Sequence, residues 1–383
     1  MAERSVVMKK CILIPDSFKG TLSAIEVCKV MRAAVLARFP DCEVLSVPVA
    51  DGGEGTVDCF LHALPGCARV PVESTGPYGE PLTACYARAG DTAIVEMAMC
   101  AGLPLVEHRP DPEHTTTYGV GTVMRRAVQD GCTRLVVGLG GSCTTDGGAG
   151  MAAALGAVFR DAEGRSFVPT GATLGQIASI DLSPARALLD GVTVEAMCDV
   201  KNPLCGPEGA AFVFGPQKGA DETMVRRLDK ALQQFAQTLK TALGADVADV
   251  PGAGAAGGMG AGVLALLGGQ LRSGIDTVLD LVGYDRMLEG ADMVFTGEGR
   301  IDRQSLNGKV IDGVARRACV AGVPVTCVVG SIGEGAQTAY EAGVSAIFSI
   351  NRRAESFETA RYKSRENLAA TMEDILRFAQ AVR

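Results

Sequence analysis

Short β-branched runs alternate with stretches of helical period at both ends of the chain. Residues 9–15 (KKCILIP) and 43–49 (EVLSVPV) read as strands, and Leu22–Phe39 between them repeats its apolar positions at helical spacing, giving a strand–helix–strand unit. Toward the far end DMVFT (292–296), VPVTCVV (323–329) and VSAIFSI (344–350) alternate with helical stretches, and an amphipathic tail follows over 357–382. The middle reads differently. There TACYARAGDTAIVEMAM predicts two strands joined at Gly90-Asp91, an antiparallel hairpin foreign to a purely parallel sheet. A strand at 134–139 (RLVVGL), another at 193–198 (TVEAMC) and a helix over 221–243 complete that region.

Two N-terminal strands alone bury too little to stand as a domain, whereas pooling them with the three C-terminal strands gives a sheet of ordinary size. The pattern therefore predicts an α/β protein of two α/β domains. One is a doubly wound, Rossmann- or flavodoxin-like parallel-sheet domain from residues 1–72 and 286–383, and a mixed-sheet α/β domain, 73–285, is inserted into it. The length of 383 residues, 47% apolar and 21% charged, suits such a globular pair and excludes a disordered or fibrous chain. The uncharged stretch 253–270 approaches spanning length, but its glycines replace the Leu/Ile/Val density a bilayer requires, so it reads as a packed loop and helix.

Lys9-Lys10 precede too short an apolar run for a signal peptide. Thirteen cysteines without a C-x-x-C pair, and only three histidines, argue against zinc clusters and for free thiols in a reducing interior, so a cytoplasmic location is expected. The formal charge of −8 comes without a basic run, which argues against nucleic acid as a partner. Oligomeric state is left open.

Ligands of parallel sheets bind beyond the carboxyl ends of strands, so the strand-end residues carry the candidate chemistry. The first strand ends in Asp16-Ser17-Phe18-Lys19-Gly20, the second in Asp51-Gly52-Gly53-Glu54-Gly55-Thr56, and the first C-terminal strand in Gly297-Glu298-Gly299-Arg300-Ile301-Asp302. In the middle region Gly140-Gly141-Ser142 leads through Asp146-Gly147-Gly148 into a small-residue helix, a turn whose backbone amides suit an anion such as phosphate. Asp199-Val200-Lys201-Asn202 and Gly215-Pro216-Gln217-Lys218 are weaker candidates of the same kind. Carboxylates, a lysine, an arginine and an anion loop are the parts phosphoryl transfer needs, and acids also hold magnesium. No Walker A sequence and no protein-kinase motif set occurs. A G-x-G-x-x-G at Gly252, Gly254 and Gly257 lacks a preceding strand, and Cys198 and Cys205 have no histidine among the clusters to serve as base.

These segments carry a resemblance. PDSFKG (15–20), ADGGEGT (50–56), GLGGSCTTDGGAGM (138–151), CDVKNPLCGP (198–207), FGPQKGA (214–220), PGAGAAGGMGAG (251–262) and TGEGRID (296–302) resemble, in order and in register, the type 1 glycerate kinase family. The likeness runs from Met8 to about Ile350, with residues 1–7 as an extension and the tail beyond Ile350 less typical; Cys143 and Thr145 depart slightly from the family's loop. The resemblance implies ATP- and magnesium-dependent phosphorylation of D-glycerate, usually on the 2-hydroxyl, giving 2-phosphoglycerate and ADP. The motifs mark the cleft without dividing the roles; the expected division has Asp16 or Asp199 as base, Lys19 and Arg300 neutralising carboxylate or γ-phosphate, and Glu298 with Asp302 near the metal. Ser17, Asp51, Gly52, Gly53, Glu54, Gly140, Gly141, Ser142, Asp146, Gly147, Asn202 and Lys218 are the expected substrate- and phosphate-binding set. Two other readings stand beside it: an NAD(P)-dependent hydroxy-acid oxidoreductase resting on the 252–257 glycines, and a sugar-acid sensor that binds without turnover.

Overall fold

The helix expected over 22–39 forms as Ala24–Arg38, and its start is dictated locally. Ser23 and Glu26 make a reciprocal capping box: Glu26 N–H donates to the Ser23 hydroxyl (3.3 Å), and Ser23 N–H donates to the Glu26 carboxylate (3.0 Å). Val27, Met31 and Val35, spaced by four, make up part of its buried stripe. The computed structural model describes residues 8–50, 52–306 and 308–381.

The flanking strands Lys10–Leu13 and Glu43–Ser46 pair in parallel. Lys10–Leu13 also pairs in parallel with Met293–Thr296, which pairs with Val325–Val329, which pairs with Val344–Ser349. Numbered along the chain, the five strands lie in the order 2-1-3-4-5, the flavodoxin-like doubly wound arrangement. Helices cover both faces. Leu13, Phe295 and Val328 pack with Val27 and Met31 of the first helix and with Leu368 and Met372 of the C-terminal helix Ser364–Ala381. Cys327 and Val329, on the opposite face by strand alternation, pack with Ile311 and Ala315 of the helix Val310–Val320.

A second sheet has six strands in the order Gln270–Arg272, Thr193–Met197, Arg134–Gly138, Thr92–Glu96, Pro81–Ala89, Ala68–Thr75. The first four run parallel, and the hairpin of Pro81–Ala89 with Thr92–Glu96 is antiparallel, as the Gly90-Asp91 turn predicts.

The chain divides into two compact units, Met1–Asp51, His62–Pro65 and Ile275–Arg383 in one, Gly52–Leu61 and Gly66–Gly274 in the other. These limits differ from the expected 72/73 and 285/286. Ala68–Thr75 pairs along its whole length with Pro81–Ala89, and Gly140 N–H donates to Gly52 O (2.9 Å), which draws both segments into the second unit. Arg317 reaches Asp276 (3.1 Å) and Asp280 (2.8 Å), tying the segment after Gly274 to the first. Among the described residues no helix is long and apolar enough to cross a membrane.

Candidate active site

In the first unit the strand order reverses between Lys10–Leu13 and Met293–Thr296, and such a switch point leaves a crevice at the strands' carboxyl ends. The two chains leaving it are locked together. Asp16 N–H donates to Gly297 O (2.8 Å), and the Thr296 hydroxyl donates to Ile14 O (2.9 Å). A Cβ on Gly297 would stand 1.8 Å from Val328 O, so glycine is what lets the adjacent strand end close against this one.

Beyond Asp16 the chain folds into a tight turn. Phe18 N–H donates to Leu22 O (2.8 Å), Leu22 N–H returns the bond to Phe18 O (3.1 Å), and the tip is Gly20 at φ +77°. Phe18 is buried under this turn, whereas Lys19 points outward. Asp16 Oδ1 accepts the Ser17 N–H at 2.5 Å. On the neighbouring strand end, Glu298 is half-buried and its Oε1 is fully covered with no hydrogen-bond partner among the described residues. Burial pushes the Glu298 carboxyl above the usual carboxylate range, against the Ser305 hydroxyl and the Lys309 and Lys19 ammonium groups, which pull it down. Arg300 is exposed, with its Nε 3.5 Å from Asp302 Oδ2.

A cavity of about 510 Å³ occupies this crevice, within the usual size of a small-molecule site. Asp16, Ser17, Lys19, Glu298 and Arg300 line it, five of the residues the sequence singles out. Lys309, Ser331, Asn351, Phe357 and Asn367 line it too and were not foreseen. Ser331 and Asn351 follow the strands Val325–Val329 and Val344–Ser349, so the strand-end rule extended to every strand finds them. Lys309 is the N-cap of the helix Val310–Val320, and no sequence signal distinguishes it from a solvated lysine.

Gly52, Gly53, Glu54 and the 140–148 loop belong to the second unit, and Asp51 lies outside the described residues. There the glycine-rich loop is held by its own protein. Gly140 N–H donates to Gly52 O, Cys143 N–H to Ala101 O (2.8 Å), Gly147 N–H to Gly257 O (3.1 Å) and Gly148 N–H to Asp146 Oδ1 (3.1 Å). Gly141 is exposed and Ser142 is buried. Asp146, fully buried, also accepts from Thr117 N–H (2.7 Å) and the Thr117 hydroxyl (2.8 Å). Burial pushes its carboxyl up while these donors pull it down. Lys218 is buried as well, its Nζ donating to Thr144 O (2.6 Å), and burial lowers its ammonium to about 8. The Asn202 carboxamide donates to Glu208 O (2.8 Å), and Asp199 Oδ1 accepts the Gly274 N–H (2.7 Å).

The 252–257 glycines are likewise filled by protein. A Cβ on Gly254 would stand 2.1 Å from Pro203 O and one on Gly257 1.9 Å from Thr144 O. No strand precedes them, so the dinucleotide reading loses the geometry it needs.

Comparison with known proteins places this arrangement. The glycerate kinase family model matches residues 11–380. A glycerate kinase of Bacillus cereus is 44% identical over 369 residues, 96% of this chain and 97% of its own. A glycerate 2-kinase of Escherichia coli is 44% identical over 344 residues, 89% of this chain and 90% of its own. A crystal structure from Salmonella typhimurium LT2, provisionally named glycerate kinase 2, superposes with a TM-score of 0.86 at 42% identity, covering 97% of this chain and 98% of that one. With near full-length identity of this order and the same fold throughout, the chain belongs to the glycerate kinase family.

Proposed function

We propose that the chain transfers the γ-phosphoryl group of ATP to the 2-hydroxyl of D-glycerate, releasing ADP and 2-phosphoglycerate. The observation that carries this reading is the convergence of Asp16, Lys19, Glu298, Arg300 and Lys309 on one cavity at the switch point of a parallel sheet. The 2-hydroxyl is favoured by the likeness to the Escherichia coli protein named glycerate 2-kinase.

Phosphoryl transfer is catalysed mostly by positioning and charge neutralisation. Asp16 accepts the proton of the attacking hydroxyl. The new bond joins the glycerate oxygen to the γ-phosphorus, the bond to the β,γ-bridging oxygen breaks, and ADP leaves with that electron pair. Asp16 is preferred to Asp199 as base because it lines the cavity that the cations line. Lys19, Arg300 and Lys309 neutralise the transferring group and the carboxylate of the acid, Arg300 through its two-pronged guanidinium.

Magnesium is ordinarily held by one or two carboxylates together with substrate phosphates, not by a preformed protein cage. Glu298 suits that role, since its covered Oε1 has no protein donor, and Asp302 is close enough to repel its charge. The ion, when bound, offsets negative charge on the β- and γ-phosphate oxygens.

The 140–148 loop is given a supporting part, because the amides of Gly140, Cys143, Gly147 and Gly148 are occupied within the fold and the Lys218 ammonium donates to Thr144 O. Thirteen free thiols suit a cytoplasmic location. The test is glycerate-dependent release of ADP in the presence of magnesium. Wild type should turn over, and Asp16→Asn should lose at least about a hundredfold in kcat while keeping its thermal midpoint. Equal kcat in the two proteins would remove Asp16 from the mechanism, and no turnover in wild type would remove the kinase reading.

A further inference from the structure

We infer that the cavity wall built by the C-terminal tail seats the adenine ring of the nucleotide, with Phe357 on its face and the Asn351 and Asn367 carboxamides at its edge. The inference rests on the kinase reading and specifies where its nucleotide is held.

The cavity is chemically two-sided. Five of its charged side chains, Asp16, Lys19, Glu298, Arg300 and Lys309, come from two strand ends and one helix cap, and the tail adds only Arg361, which pairs with Glu358 (3.6 Å). The other side comes from the chain beyond the last strand, Val344–Ser349, and includes Asn351, Phe357 and Asn367. A ligand filling both must join an anionic end to a flat ring with a hydrogen-bonding edge. A nucleoside triphosphate has that form, and a three-carbon acid does not.

The tail residues are held in place to do this. Ser364 and Asn367, three residues apart in the first turn of the helix Ser364–Ala381, share one face and line the cavity, joined by Ala360 at the end of the preceding short helix Phe357–Ala360. Leu368, Met372 and Leu376 anchor that helix in the core, which makes Asn367 part of a rigid element. Phe357 is 57% exposed, yet its ring tip lies 3.7 Å from where a Gly20 Cβ would be, directly over the Phe18–Leu22 turn. An aromatic side chain left uncovered beside a cavity offers a stacking platform. Asn351 uses its backbone N–H on the Ser349 hydroxyl (3.0 Å), and neither its carboxamide nor that of Asn367 has a hydrogen bond among the described residues. A carboxamide pairs one donor with one acceptor, as the N6/N7 edge of adenine requires; the O6/N7 edge of guanine presents two acceptors and matches poorly.

The test is calorimetric titration of ADP, GDP and inorganic tripolyphosphate into wild type, Phe357→Ala and Asn367→Leu. Wild type should prefer ADP to GDP, and each variant should bind ADP roughly tenfold more weakly with tripolyphosphate binding unchanged. ADP affinity equal to that of wild type, or a parallel loss of tripolyphosphate binding, would overturn the inference. The chain contains no tryptophan, so Phe357→Trp keeps an aromatic platform and adds the sole indole as a reporter. Its emission should change with ADP and not with tripolyphosphate; an unchanged spectrum at saturating ADP would also overturn the inference. Failure of the kinase reading shows differently, as ADP binding with this profile but no glycerate-dependent turnover.

Discussion

Two buried ionisable residues of the second unit, Asp146 and Lys218, show how environment decides a role that residue type leaves open. Both sit in segments that suggest phosphate binding, yet Asp146 is occupied by Thr117 and Gly148, and Lys218 by Thr144 O. Glu298 is the contrasting case, covered on one oxygen with no donor there. Lys218 carries a pH signature. Its ammonium titrates at about 8 folded against 10.5 unfolded, so between those values the unfolded chain binds more protons. Stability contributed through this group should therefore rise as pH climbs from about 8 toward 10.5, by about 3 kcal/mol at most, because the cost of burying a charge is relieved. Lys218→Met should flatten that slope relative to wild type in urea unfolding followed across this window. Parallel slopes for the two proteins would mean that Lys218 stays charged when buried.

At the scale of elements, the strands were legible because their apolar runs are local, and all five of the first sheet lie within the predicted spans. What was not legible depends on partners far away in sequence. The glycine-rich segment 251–262 reads the same whether its glycines admit a pyrophosphate or a neighbouring backbone, and only the fold shows Thr144 O, Pro203 O and Gly147 O already there. Gly257→Ala tests this packing. It would put a Cβ 1.9 Å from Thr144 O at φ +67°, and should cost more than about 3 kcal/mol in urea unfolding. Gly66→Ala, at φ +77° with nothing within 4 Å, is the control and should cost about 1 kcal/mol. Equal losses would show that backbone conformation, not close approach, requires glycine at 257. The tail is the other illegible element, since nothing in its amphipathic pattern reveals that Phe357 and Asn367 face the same cavity as Asp16.

For the whole molecule, the expected fold of a flavodoxin-like parallel sheet and a mixed sheet is the observed one, and the family likeness read from seven short motifs extends over residues 11–380. The unit limits moved because Ala68–Thr75 pairs forward with the adjacent strand Pro81–Ala89, and because Arg317 holds Asp276 and Asp280, a contact distant in sequence. Five expected residues share one cavity, and of those in the second unit Gly140, Asp146, Gly147, Asn202 and Lys218 hydrogen-bond within that unit. Function at this scale reduces to which bond forms. The most direct measurement is phosphorus NMR of the protein turning over ATP, magnesium and D-glycerate. The account predicts a growing 2-phosphoglycerate resonance matched by ADP. A 3-phosphoglycerate resonance would contradict the assigned hydroxyl, and the absence of any phosphoglycerate from folded, ADP-binding protein would contradict the central claim.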